Sequence, residues 1–122
     1  LVAIGPLLSS TGRAARDLVT GSIVAATTEV VIFEAPGCVY CELFRRDVLP
    51  GYQSSLRART TPLRFVDVEA VDRTLLPSAP PLAMLPTTII LRDGQEIGRI
   101  DGYTGPDNFQ AVLTHVLGPA GQ

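Results

Sequence analysis

The sequence predicts an α/β fold with a mixed central sheet, two parallel strands plus an antiparallel hairpin, and helices on both faces. Three observations carry this. Residues 29–34 (EVVIFE) form a nearly continuous apolar, β-branched run, the pattern of a central strand buried on both faces. A helical pattern separates that run from the alternating stretch 63–68 (LRFVDV), so these two strands should be parallel. Residues 87–91 (TTIIL) and 96–100 (EIGRI) flank Asp93-Gly94, a dipeptide that closes a tight antiparallel hairpin.

Taken in order, residues 1–12 read as an N-terminal arm, either packed on the domain or left from a signal or anchor region. Residues 13–122 read as one domain, as expected for a chain of 122 residues. Residues 13–19 (RAARDLV) favour a short first helix, with Gly21 just past its end. After the first strand, Ala35-Pro36-Gly37 breaks the pattern and residues 40–49 become helical. There Cys41, Phe44 and Val48 fall at spacings of three and four and share one face. Pro50-Gly51 is the expected stop, with a further helical stretch over residues 52–58. Residues 74–84 contain Pro77, Pro80 and Pro81, so any helix there is short or interrupted. Residues 106–117 carry an apolar stripe of Phe109, Val112, Leu113, Val116 and Leu117. Thr104 or Asp107 lies near its start, and Gly118-Pro119 stops it.

Composition narrows the chemistry. Ten basic residues stand against 12 acidic ones, for a net charge of −2, with no charged block. That argues against a nucleic-acid binder, which carries a basic stripe. All ten cations are arginines, so Schiff-base lysine chemistry and a lysine-bearing phosphate loop are excluded. The single histidine, His115, leaves at most one imidazole base. The apolar stretch 1–8 is far below the roughly 20 residues of a membrane span.

The chemistry concentrates in Cys38-Val39-Tyr40-Cys41, at the junction of a buried strand and a helix. Cys38 falls at or beside the helix N-terminus, where unpaired N–H groups and the helix dipole favour an anion. Its thiol should therefore ionise easily and act as the nucleophile. Cys41, one turn further in, should be more buried and resolve the intermediate. Three other readings compete. A zinc site needs about four ligands, and the only further soft one is His115 on the terminal helix. A purely structural disulfide across so short a loop removes little chain entropy. Inert core cysteines fit poorly with the Pro36-Gly37 turn before Cys38. Redox activity is the strongest of the four.

Residues 30–41 (VVIFEAPGCVYC), Leu85-Pro86-Thr87 and residues 89–102 (IILRDGQEIGRIDG) together resemble the thioredoxin superfamily. The resemblance implies a thioredoxin fold. It also implies that Pro86 is a cis-proline lying against the cysteines, with Leu85 before it presenting its backbone to an incoming peptide. Trans is favoured by about 0.5–1 kcal/mol even at proline, so a cis bond needs enforcement by the fold. The segments PGCVYC and DGQEIGRIDGYTG are similar to bacterial periplasmic thioredoxin-like proteins of the SoxS type, associated with sulfur oxidation.

Several positions depart from the family pattern. Gly37 replaces its tryptophan, and Val39-Tyr40 replace Gly-Pro. Ile32 stands where thioredoxins bury an aspartate, and Arg46 where they kink the helix with proline. Glu34 is then a candidate modulator of proton transfer, against a plain solvated carboxylate at a strand end. Tyr40 is also reminiscent of glutaredoxins. Their glutathione would need basic contacts such as Arg45 and Arg46, whose simpler reading is an exposed helix face.

The expectation is a thiol–disulfide oxidoreductase without metal or cofactor, reducing disulfides of periplasmic partner proteins. Cys38, Cys41 and Pro86 would form the catalytic set, and Val39, Tyr40 and Leu85 would contact substrate. The resemblance implies protein thiol or disulfide partners, an electron-donor protein such as a membrane reductase, a monomer, and an extracytoplasmic location. Oxidase or isomerase activity and a redox-inert peptide-binding module are the alternatives.

Overall fold

The computed structural model describes residues 27–70 and 82–119. The expected arm, the first helix over 13–19 and most of the proline-interrupted stretch 74–84 lie outside the described residues. Strands β1 (Thr28–Glu34), β2 (Leu63–Asp67), β3 (Thr87–Arg92) and β4 (Gln95–Asp101) form one sheet in the order β2-β1-β3-β4. β1 runs parallel to β2 and antiparallel to β3, and β3 and β4 form the hairpin. Helix α1 spans Val39–Asp47, and the short helices α2 (Leu49–Gln53) and α3 (Arg57–Thr60) follow it. Helix α4 spans Pro106–Leu117.

β1 is central because its residues can be buried on both sides. Val30 and Ile32 face one cluster with Phe44, Val48, Tyr52, Ile90, Phe109 and Leu113. Val31 and Phe33 face a second cluster with Ile89, against which Val66, Leu85 and Leu91 pack. Fully burying side chains of this kind contributes about 1.5–3 kcal/mol each. The described helices lie on the first face. Phe44 is its hub: its ring meets Phe65, Tyr103 and Phe109 edge-on. The expected face of Cys41, Phe44 and Val48 is buried as a unit, at 3%, 1% and 3% exposure.

The hairpin turns at Asp93 and Gly94, both with positive φ (52° and 81°), as a two-residue turn of this hand requires. Asp93 also accepts from the Thr27 N–H at 2.9 Å, tying the turn to the start of β1. At Gly98 a Cβ would meet the Val116 methyls at 2.9 and 3.2 Å, so the missing side chain lets α4 pack close to β4.

Two local expectations are corrected. Pro50-Gly51 does not end α1; it lies inside α2, with Pro50 in the first turn, where a missing N–H costs nothing. α1 ends earlier, with Val48 as its C-cap and the Val48 N–H donating to the Phe44 carbonyl at 2.8 Å. Helix over 52–58 is not continuous: α2 stops at Gln53, where the Ser54 N–H turns back to the Pro50 carbonyl. α4 spans Pro106–Leu117 as expected, with Asp107 in its first turn; Gly105, at φ 118°, precedes it without a side-chain cap.

Candidate active site

The parallel strands β1 and β2 end side by side, Glu34 opposite Asp67, and the chain leaves β1 through Ala35-Pro36-Gly37. Gly37 has φ 77°, which lets the chain reverse and present Cys38 at the start of α1. Cys38 is the N-cap. Its Sγ accepts from the Cys41 N–H at 3.1 Å, and its carbonyl accepts from the Glu42 N–H at 3.1 Å. One sulfur thus takes the place of the oxygen that usually satisfies an exposed helix-start donor. Cys38 and Cys41 form a disulfide, with Cα atoms 5.2 Å apart. Cys38 is partly exposed, whereas Cys41 is only 3% exposed. Val39 and Tyr40 project outward, 64% and 58% exposed.

A cleft of about 230 Å³ opens beside the cysteines, lined by the turn residues, Glu34, Glu42, Arg45 and Asp67. Arg45 reaches back across it from α1. Its Nε and Nη2 donate to the two Glu34 carboxylate oxygens at 2.9 and 2.6 Å. Its guanidinium lies 3.7 Å over the Phe65 ring. The Glu34 hydrogen bonds and charge raise the Arg45 pKa, so the cation is secure. Arg45 is therefore on an exposed face, yet engaged. Arg46 pairs with Asp47 at 2.7 Å, and Asp47 also accepts from the Tyr103 hydroxyl at 3.1 Å. The Arg46 hydrogen bond holds the Asp47 carboxyl below its usual range.

The Leu85–Pro86 peptide bond is cis. Thr87 pairs with Phe33, so Pro86 lies at the same end of the sheet as the cysteines. Its carbonyl accepts from the Gly102 N–H at 2.8 Å, and Thr87 Oγ1 donates to the Met84 carbonyl. Leu85 is half-buried against the second core cluster, and Met84 stands exposed beside it.

The structure thus brings Cys38, Cys41 and Glu34 to one cleft and places Leu85 and Pro86 on its sheet end, outside the cleft lining. Ile32 is wholly buried in the core. His115 is exposed in the last turn of α4. Among the described residues, no group of three or more His, Cys, Asp or Glu side chains is placed to hold a metal ion.

Sequence reasoning did not single out Asp67. Its signal was available: it ends the second of two parallel strands, where α/β sheets build their sites.

A family model for the thioredoxin-like domain matches residues 25–117. The chain belongs to this thioredoxin-like family. The periplasmic thioredoxin SoxS of Paracoccus pantotrophus, in its reduced form, is 29% identical; the match covers 75% of this chain and 96% of that one, with a TM-score of 0.64. The Malassezia sympodialis thioredoxin Mala s 13 is 21% identical over 74% of this chain and 77% of that one, at TM-score 0.63. Thioredoxin f2 of Chlamydomonas reinhardtii is 17% identical over 80% and 85%, at TM-score 0.61. The last two bear on the fold alone. A thioredoxin-like domain carrying a Cys-x-x-Cys disulfide at a helix start is a thiol–disulfide oxidoreductase, and proteins of this family act on protein thiols. Among the described residues, no helix is long and apolar enough to cross a membrane.

Proposed function

We propose that this thioredoxin-like protein reduces disulfides of partner proteins outside the cytoplasm, with Cys38 as nucleophile and Cys41 as resolving thiol. The asymmetry of the pair supports this reading: Cys38 is the more exposed member and its Sγ receives a helix-start N–H, while Cys41 is buried behind it. In the dithiol form, the Cys38 thiolate attacks a partner disulfide sulfur. A Cys38–partner disulfide forms, and the first partner sulfur leaves as a thiolate that takes up a proton. Cys41 then loses its proton and attacks Cys38 Sγ. The Cys38–Cys41 disulfide forms, the second partner thiolate is released, and the partner has gained two electrons.

Leu85, just before Pro86 at the cysteine end of the sheet, would offer its backbone to an extended partner segment. Exposed Val39 and Tyr40, next to Cys38 in the chain, would supply apolar contact. Glu34 would modulate proton transfer from within the Arg45 ion pair. The extracytoplasmic setting rests on the likeness to a periplasmic thioredoxin. There, partners in sulfur oxidation and a membrane reductase as electron donor would suit the reaction.

Cys41→Ser tests the reading. Expressed in a periplasm, it should accumulate partner proteins joined through Cys38 and released by dithiothreitol, whereas Cys38→Ser should accumulate none. Recovery of no adduct, or of equal adducts from both variants, would overturn the assignment. The equilibrium reduction potential against glutathione checks direction: a value near −180 mV or above would fit an oxidase better than a reductase.

A further inference from the structure

We propose that Asp67 is the proton acceptor for Cys41 during resolution, acting through water in the cleft. This deepens the disulfide-reductase reading and rests on it. Cys41 is 3% exposed, so a thiolate there forms only if its proton has somewhere to go. Among the described residues the core offers no acid, and Ile32 is wholly buried among apolar side chains.

The charged groups lining the cleft are Glu34, Glu42, Arg45 and Asp67. Glu34, the carboxylate that the sequence offered, has both oxygens engaged by Arg45. Glu42 sits exposed on the outer face of the first turn of α1. Asp67 differs from both. It is half-buried at the end of β2, beside Glu34 in the sheet register. Its Oδ1 accepts from the Glu69 N–H at 2.8 Å, which orients the carboxylate, and Oδ2 has no partner among the described residues. A cleft of about 230 Å³ lined by both Cys41 and Asp67 has room for water between the sulfur and that oxygen.

The step balances. The Cys41 proton passes through water to the Asp67 carboxylate as the Cys41 sulfur attacks Cys38 Sγ. The partner thiolate leaves and takes up a proton from solvent or from Asp67. Asp67 touches neither reacting sulfur directly, so its part is to hold and move a proton.

Stopped-flow oxidation of the reduced protein by 2,2′-dithiodipyridine separates the two thiols. Attack by Cys38 releases one pyridine-2-thione, and resolution by Cys41 releases a second. Asp67→Asn should leave the first phase within about twofold of the parent. It should slow the second at least tenfold near pH 7, since a positioned acid or base contributes roughly 10²–10⁴-fold. The second phase of that variant should then climb steadily with hydroxide, where the parent levels off. Asp67→Glu should restore the parent profile, and Asp107→Asn, exposed in the first turn of α4, should not alter it.

An unchanged second phase in Asp67→Asn overturns the proposal. So does a slower one with the parent's pH dependence, because that would mark a structural role. Absence of the first phase in the parent protein would instead overturn the disulfide-exchange reading, and this proposal with it.

Discussion

Replacing Phe44 with alanine should loosen the helix that carries Cys41 while leaving both cysteines in place. Phe44 is 1% exposed, three residues beyond Cys41, with ring centroids 6.2, 5.6 and 5.0 Å from Phe65, Tyr103 and Phe109. Phe-to-Ala changes in cores cost about 3–5 kcal/mol. Edge-on ring pairs contribute about 0.5–1.5 kcal/mol each beyond burial, so three pairs amount to roughly 1.5–4.5 kcal/mol and place this site high in that range. Phe44→Leu keeps most of the apolar volume without the ring edges and should recover roughly half the loss. Domain stability is itself only about 5–15 kcal/mol, so the alanine variant should stand near its unfolding threshold.

The assay is equilibrium urea denaturation of the oxidised protein. With a slope of about 1–3 kcal/mol/M, the alanine midpoint should fall by more than about 1 M. In the reduced protein, alkylation of Cys41 should become faster as its cover opens. A midpoint within about 0.3 M of the parent at unchanged slope, with Cys41 still protected, would refute the view that Phe44 holds the redox helix.

Other consequences are open to measurement. Gly98→Ala should cost about 1–3 kcal/mol in urea denaturation, because the new methyl meets Val116 at 2.9 Å; an unchanged midpoint would contradict the close approach of β4 and α4. Gly102→Ala should cost about 1–2 kcal/mol by the same assay, since φ is 79° there and the methyl would meet Met84 Sδ at 2.7 Å. Tyr52 and Tyr103 are both pushed up to about 12, chiefly by burial, with the hydrogen bond to Asp47 adding to it at Tyr103. Folding favours their neutral forms, so this stabilisation is complete below the unfolded value of about 10 and is lost as the pH rises through about 12. Phenolate absorbance should show two tyrosines that ionise only near the upper value; ionisation of both near pH 10 in folded protein would contradict this.

The strands, the hairpin and α4 were legible in the sequence because each depends on local periodicity or turn chemistry. Pro106–Leu117 was bounded by a proline at one end and Gly118 at the other, signals that act within a single turn. The region after α1 was misread because Pro50 stops a helix in mid-course yet opens the next one, and only packing decides which. Cys38 and Cys41 were legible for a related reason, since their placement needs only a strand, a turn and a helix start. The partners of Glu34 were not. Arg45 is eleven residues away and meets Glu34 only because α1 folds back over the strand end. Arg57, 7% exposed, is hidden for the same reason: its guanidinium reaches the Gly118 carbonyl across 61 residues.

The bond between Thr27 and Asp93 has a practical consequence. It marks the end of β1 where the strand begins, while the cysteines follow the end where it finishes. Seven residues of strand, about 3.3 Å each, separate the two ends by roughly 20 Å. A fluorophore or surface tether attached at the Asp93–Gly94 tip would therefore sit on the far rim of the sheet. Immobilised by that tip, the protein would turn its thiols toward the solution, ready to capture and release partners in repeated cycles.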